Sequence, residues 1–216
     1  MYGKKVKNII ITGATRGLGL SHIFYLYKMG YNLALVDISE YACSVYKEVK
    51  DVDDLIFKLK SSHQQGGKIK FFKCDLTSYL TTANVFEEII GLFGGVEGLV
   101  ANAGGDVVGN DYRAAGGKAI NNTIDISIES HDQIFDRNYR TCLNTIKSIV
   151  PYFKKQRFGK IVTTSSVSSG FGVTQETTYA ISKAAVSHLT RCVAAELRDY
   201  NVTVNCLVPG GTLTGR

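Results

Sequence analysis

The chain has 216 residues, 44% of them hydrophobic and 20% charged, enough for one large folded domain with a substantial core. No run of about 18 apolar residues occurs, which excludes a transmembrane helix. The formal net charge is +6, but the basic residues are dispersed apart from Lys4, Lys5, Lys7 and Lys154, Lys155, Arg157, without interleaved aromatics. That charge suits solvated faces and a phosphate-bearing small ligand; no nucleic-acid or membrane partner is expected.

The five cysteines, Cys43, Cys74, Cys142, Cys192 and Cys206, are odd in number and none forms a CxxC pair. A disulfide framework and a zinc site are therefore not expected, and a reducing, cytoplasmic setting is. His22, His63, His131 and His188 lack metal-ligand spacing and read as non-catalytic. No metal site is expected.

In chain order, Lys7–Thr12 reads as a strand rather than a signal-peptide core, because it is short and leads straight into a glycine turn. Gly17–Met29 reads as a helix and Asn32–Asp37 as a strand. Ser39–Gln65 is mostly helical, with an early turn around Cys43–Lys50. Lys68–Lys73 is a strand, Tyr79–Phe93 a helix and Gly98–Ala101 a short buried strand. Gly104–Ser127, rich in Gly, Asn and Asp, is the one long irregular stretch and follows a strand end, where loops border ligand crevices. Ser130–Lys155 and Thr178–Tyr200 are long helical patterns around the strand Gly159–Ser165, and Val202–Val208 is the last strand. Strands alternating with helices of this length predict an α/β fold: a Rossmann-type, doubly wound parallel sheet with helices on both faces, a three-layer αβα sandwich.

The turn Thr12-Gly13-Ala14-Thr15-Arg16-Gly17-Leu18-Gly19 joins the first strand to the first helix. Glycines let the backbone turn sharply and approach a ligand closely, and a helix amino terminus offers N–H groups to a pyrophosphate. The spacing is G-x-x-x-G-x-G, not the G-x-G-x-x-G dinucleotide fingerprint. Asp37 ends the second strand, where a carboxylate can accept the hydroxyls of an adenosine ribose and would repel a 2′-phosphate. Arg16 argues the other way, since it could meet that phosphate. The balance favours NAD over NADP; the alternative reading of Asp37 is a turn or cap residue ahead of Ser39.

Tyr179 and Lys183 stand four residues apart at the start of a helix, on one face. A free phenol has a pKa of about 10, and a neighbouring ammonium favours its ionised form. A hydroxyl cluster, Ser165-Ser166-Val167-Ser168-Ser169, closes the strand before it. A serine there can hydrogen-bond a substrate carbonyl beside the tyrosine; the alternative is a polar turn.

Taken together, these pieces resemble the short-chain dehydrogenase/reductase family. The matching motifs are T-G-x-x-x-G-x-G at Thr12–Gly19, Cys74-Asp75-Leu76 after the third strand, Asn102-Ala103-Gly104 after the fourth, Asn138, Ser166 thirteen residues before Tyr179, Tyr-x-x-x-Lys at Tyr179–Lys183, and Pro209-Gly210 with Thr212 and Thr214 beyond. They follow family order over nearly the whole chain. The resemblance implies an NAD-dependent oxidoreductase acting on a secondary alcohol or ketone, with Tyr179 as general acid–base and Lys183 lowering its pKa and holding the nicotinamide ribose. It also implies that Ser166 orients the substrate oxygen and Asn138 holds a relay water. Gly13, Thr15, Arg16, Gly17, Leu18, Gly19, Asp37, Asp75, Leu76, Asn102, Ala103, Gly104, Pro209, Gly210, Thr212 and Thr214 would then hold the cofactor, Asp75 at the adenine and Pro209–Thr214 at the nicotinamide.

Two departures stand out. Ala101 takes the place of the first Asn in the family's Asn-Asn-Ala-Gly, and the sequence stops at Arg216, where relatives usually continue, so the single domain is expected to be incomplete at its carboxyl end. The alternatives are a cofactor-binding protein without catalysis and a sugar-nucleotide epimerase or dehydratase. The apolar residues of Thr178–Tyr200 exceed one core stripe, and the family resemblance implies a homodimer or homotetramer.

Overall fold

A computed structural model of the protein describes residues 7–46, 49–62, 67–106 and 122–212. Six parallel strands form one sheet: β1 (Asn8–Thr12), β2 (Asn32–Asp37), β3 (Ile69–Lys73), β4 (Gly98–Ala101), β5 (Gly159–Thr164) and β6 (Val202–Leu207). Their spatial order is β3-β2-β1-β4-β5-β6. The order reverses between β1 and β4, which opens a crevice at the carboxyl ends of those two strands, the usual place for a ligand in such a sheet. Rossmann-type topology is therefore as the alternating pattern predicts.

Side-chain alternation along the strands builds two cores. Ile9, Ile11, Leu33 and Leu35 face one way, onto Ile23 and Tyr27 of α1 (Gly17–Lys28) and Leu55 and Leu59 of α2 (Val52–Ser62). Ile10, Ala34, Val36, Leu99 and Ile161 face the other. There they meet Phe86 and Ile89 of α3 (Tyr79–Phe93), Ile146, Ile149 and Phe153 of α5 (Thr141–Gln156), and Val186, Val193 and Leu197 of α6 (Thr177–Leu197). Each fully buried Leu, Ile or Phe contributes about 1.5–3 kcal/mol relative to exposure.

The stretch after β2 is mostly helical with an early turn, as expected: a 3₁₀ segment, Ala42–Tyr46, precedes α2. Asp51 starts α2, its Oδ1 accepting from Asp54 N at 2.9 Å in the manner of an N-cap. A second 3₁₀ segment, Val167–Gly170, follows β5, capped by Ser166. The long helix expected over Ser130–Lys155 comprises α4 (Ile128–Phe135), a π-helical turn Asp136–Arg140, and α5. Within that turn, Asn138 Nδ2 donates to Ile134 O at 2.9 Å and Thr141 Oγ1 to Arg137 O at 2.7 Å. The wide turn is a local insertion of the kind that often marks functional positions.

Candidate active site

The crevice is knitted at its base by Thr12. Its hydroxyl accepts from Asn102 N at 3.1 Å and from Ala103 N at 3.2 Å, while Asn102 Nδ2 donates to Gly13 O at 3.1 Å. The ends of β1 and β4 are thus held together where the sheet order reverses. Gly13 has φ +58°, and a Cβ there would lie 2.7 Å from Ala103 Cα. Only glycine fits such a backbone pose without strain. At Gly17, also with positive φ, an added Cβ would meet nothing within 4 Å. Arg16 is the N-cap residue of α1 and forms no side-chain cap bond, and the first turn carries no acidic side chain. An uncrowded helix start with a basic residue at its head fits a pyrophosphate.

Asp37 is buried beside this turn. Its Oδ2 accepts from Thr15 N at 3.0 Å and Thr15 Oγ1 at 2.8 Å, and its Oδ1 from Ile38 N at 2.8 Å. A carboxylate offers about four acceptor positions, so these three bonds leave room for a ribose hydroxyl. Asp37 thus also fixes the glycine turn, which its sequence position did not disclose. Arg137, half-buried in the π turn, has its pKa pulled down by burial and then by the charge of Arg16. Two guanidinium groups are therefore within electrostatic reach of one another on the rim of the crevice.

Asp75 is exposed, its Oδ1 accepting from Thr77 N at 2.9 Å and Thr77 Oγ1 at 2.7 Å ahead of α3. The side chain of Leu76 lies in the core, and its carbonyl accepts from Asn144 Nδ2 at 2.9 Å. Leu18 is half-buried and Gly19 buried on α1.

On the other side of the crevice, Asn138 from the π turn and Lys183 from α6 converge on Gly104. A Cβ at Gly104 would lie 2.6 Å from Asn138 Oδ1 and 3.0 Å from Lys183 Nζ. Asn138 is buried in the π turn, with Oδ1 accepting from Gly105 N at 2.9 Å and Nδ2 donating to Gly105 O at 3.0 Å. Lys183, on α6, donates from Nζ to Thr164 O at 3.0 Å. Burial pushes its pKa down to about 8. Its ammonium stands 5.8 Å from the centre of the Tyr179 ring, one helical turn before it, as the spacing requires. Burial also pushes the Cys142 thiol up to about 12 and the Cys43 thiol to about 11, so neither is a nucleophile at neutral pH.

Ser166 is buried at the carboxyl end of β5, its Oγ accepting from Ser168 N at 3.3 Å. Ser166 Oγ donates to Ser168 Oγ at 3.3 Å, and Ser168 Oγ to Glu176 Oε2 at 3.1 Å. Pro209 and Gly210 lie alongside, with Pro209 O accepting from Val167 N at 3.0 Å. Thr212 is exposed; Thr214 lies outside the described residues, as do residues 107–121 of the long loop. Among the described residues, no group of three or more His, Cys, Asp or Glu side chains could hold a metal, and no helix is long and apolar enough to cross a membrane.

Sequence reasoning missed Asn122. Glu176 precedes α6 without capping it. Instead Asn122 O accepts from Thr177 N at 3.0 Å and Asn122 Oδ1 from Thr178 N at 3.2 Å, while its Nδ2 donates to Asp106 Oδ1 at 2.6 Å. Asn122 is 55 positions before the helix it caps, so no local signal could have revealed it. Ser168 and Glu176 were missed as well: the first was seen only as part of a hydroxyl cluster, the second not at all.

A doubly wound sheet with a glycine-turn crevice and a Tyr/Lys pair at its carboxyl edge defines a nicotinamide-dependent oxidoreductase. The family model for short chain dehydrogenases matches residues 7–216, and the chain belongs to that family. It is 29% identical over 216 residues to the cyclohexanol dehydrogenase of Rhodococcus sp. (strain TK6), covering 97% of this chain and 76% of that protein. It is 28% identical to the 3-oxoacyl-acyl-carrier-protein reductase FabG of Staphylococcus epidermidis, covering 94% of this chain and 74% of that one. Among solved structures, levodione reductase superposes with a TM-score of 0.80 at 22% identity, covering 96% of this chain and 72% of its own. The NADH-dependent reductase A1-R′ complexed with NAD superposes at 0.78 and 24% identity, covering 96% and 80%. ElxO with NADP bound gives 0.78 and 24%, covering 97% and 75%. Neighbours of both cofactor preferences therefore share the fold.

Proposed function

We propose that the protein interconverts a secondary alcohol and its ketone, with NAD as the preferred cofactor and Tyr179 as general acid–base. The observation that carries this reading is the convergence of Asn138 and Lys183 on Gly104, next to the Ala103 that packs on the glycine turn, with the Lys183 ammonium 5.8 Å from the Tyr179 ring. The nicotinamide ring, when bound, supplies or accepts the hydride. Gly13, Thr15, Arg16, Gly17, Leu18 and Gly19 would hold the pyrophosphate, Asp37 the adenosine ribose, and Asp75 and Leu76 the adenine side. Asn102, Ala103 and Gly104 would line the floor, and Pro209, Gly210, Thr212 and Thr214 the nicotinamide side. Tyr179 Oη passes a proton to the carbonyl oxygen in reduction, or takes one from the alcohol in oxidation. The Lys183 ammonium stabilises the phenolate left behind. Asn138 pins Gly105 beside Lys183, and the resemblance adds a relay water at this residue. Ser166 holds the substrate oxygen next to Tyr179.

Asp37 favours NAD because a 2′-phosphate would face a buried carboxylate. The relatives named as a cyclohexanol dehydrogenase and a 3-oxoacyl-acyl-carrier-protein reductase support an alcohol/ketone couple. We further infer a cytoplasmic homodimer or homotetramer. Buried, unpaired thiols at Cys43, Cys74 and Cys142 suit a reducing compartment. Ile181 and Cys192 are exposed on α6, with Ala184, Ala185 and Leu189 half-exposed, which offers apolar area to a second subunit. The test is formation of NADH or NADPH from the oxidised cofactor by the full chain against a panel of secondary alcohols. Turnover with NAD is expected; tight NAD binding without turnover of any alcohol or ketone would leave a cofactor-binding protein instead.

A further inference from the structure

We propose that Ser168 and Glu176 aim the hydroxyl of Ser166 away from the reacting oxygen, so that the resting site accepts an alcohol more readily than a ketone. This inference rests on the alcohol/ketone reading above and adds a direction to it. The geometry is a chain of three side chains: Ser166 Oγ lies 3.3 Å from Ser168 Oγ, which lies 3.1 Å from Glu176 Oε2. An ionised carboxylate only accepts, whereas a serine has one hydrogen to give. Ser168 therefore spends its hydrogen on Glu176, and its oxygen is left to accept the hydrogen of Ser166. The chain runs one way, and its direction is set at the carboxylate.

The consequence follows from counting hydrogens at the substrate oxygen. A ketone oxygen only accepts, and binds best when both Tyr179 and Ser166 donate to it. To donate, Ser166 must give up its bond to Ser168, whose oxygen is polarised by a charged acceptor. With Tyr179 protonated, as in the resting site, an alcohol oxygen accepts from Tyr179 and donates its own hydrogen to Ser166 Oγ, which leaves the chain to Glu176 intact; that hydrogen turns to Tyr179 only once the phenol has ionised, so the preference is one of binding. The alcohol thus fits the site as it stands, and the ketone fits only after a hydrogen bond is broken. Ser166 and Ser168 are both at least nine-tenths buried, which limits replacement of that bond by water. Ser168 and Glu176 act here through Ser166 and are positioning residues.

Binding in complexes that cannot react isolates this effect from the chemical step. The full chain is loaded with NAD+ and titrated with a ketone, or loaded with NADH and titrated with the matching alcohol, using a pair that the wild type interconverts; cyclohexanone with cyclohexanol is the first probe. Calorimetry reads the two dissociation constants. Ser168→Ala frees the Ser166 hydrogen, so ketone binding is expected to tighten about threefold to tenfold while alcohol binding stays within about twofold. Glu176→Gln, whose amide can donate as well as accept, should shift the same ratio in the same direction by a smaller factor. A merely structural role weakens both ligands together. If both variants weaken ketone and alcohol alike, or leave their ratio unchanged while the wild type turns the pair over, this assignment falls and the alcohol/ketone function stands. If the wild type turns over no pair, the function falls and the inference with it.

Discussion

The centre of the sheet and its β6 edge differ in how they are buried. All five residues of β1 are buried, and in β2 only Asn32 is not. In β6, Val202 and Val204 are buried while Thr203 and Asn205 are exposed. Helices α1 and α2 cover one face over β1 and β2 and α3 and α5 the other, so those two strands read as nearly continuous apolar runs; β6 packs on α6 and alternates. The cofactor side of the crevice is therefore built on strands fixed from both faces and on backbone atoms of a glycine turn. The catalytic side is built from side chains that reach inward from the π turn, α6 and the end of β5. On the proposed function one side binds by shape and the other works by placement of protons, and substitutions should separate them.

The largest separation is expected from Tyr179→Phe. It removes the only group proposed to move the proton and should lower kcat by about 100-fold to 10,000-fold, while NADH affinity, read by fluorescence titration, stays within severalfold. Equal turnover would remove Tyr179 from its assigned role. Gly104→Ala comes next. Its methyl group would press on Asn138 Oδ1 and Lys183 Nζ, so kcat is expected to fall roughly tenfold or more, equivalent to about 1.4 kcal/mol on the barrier. Gly104 is also assigned to the floor of the cofactor site, so NADH affinity should fall as well, but by less than kcat, because the crowded groups are Asn138 and Lys183.

Asp37→Asn should sharpen the cofactor half alone. It keeps an acceptor for Thr15 but removes the negative charge, and the ratio of kcat/KM for NAD over NADP is expected to narrow about tenfold, a difference of about 1.4 kcal/mol. No change in that ratio would show that Asp37 serves only the glycine turn.

The pH profile should report the catalytic half. Lys183 has its pKa lowered to about 8 from 10.5 by burial, so its charge in the folded protein is lost as pH rises through about 8. Ketone reduction should decline over that range, since the cation beside Tyr179 disappears. Stability should move oppositely. Between about 8 and the unfolded value the unfolded chain binds more protons, so unfolding free energy contributed by this group rises with pH. Thermal melts across that window read the sign. The smallest effect is expected from Asn122→Ala, which uncaps α6 and should cost about 1 kcal/mol of stability, with a kcat loss larger than any change in NADH affinity.

Much of this architecture was readable before any coordinates. The alternation of apolar runs and helical segments gave six strands with boundaries within a residue or so, because each strand is flanked by glycine, proline or polar turn residues and each helix has a stripe to bury. The break of the long central helix at Asp136–Arg140 was not readable. The widened turn coincides with Asn138 reaching Gly105 on another element, and no periodicity in the sequence carries that contact. Thr15 and Asp37 were both singled out for the cofactor, but their bond to each other, across 22 positions, was not.

The sequence by itself determined the sheet's parallel character, the crevice-forming glycine turn and the Tyr179–Lys183 spacing, because these depend on local periodicity and on neighbours one helical turn apart. Tertiary structure decided which groups act on those elements from a distance: Asn122 on the start of α6, Asn138 on Gly105, the Thr164 carbonyl on Lys183, and Asp37 on the glycine turn. Each of these bonds joins segments that meet only after the sheet has formed. Its energy depends on burial and alignment, which the chain acquires on folding and which no stretch of residues specifies alone.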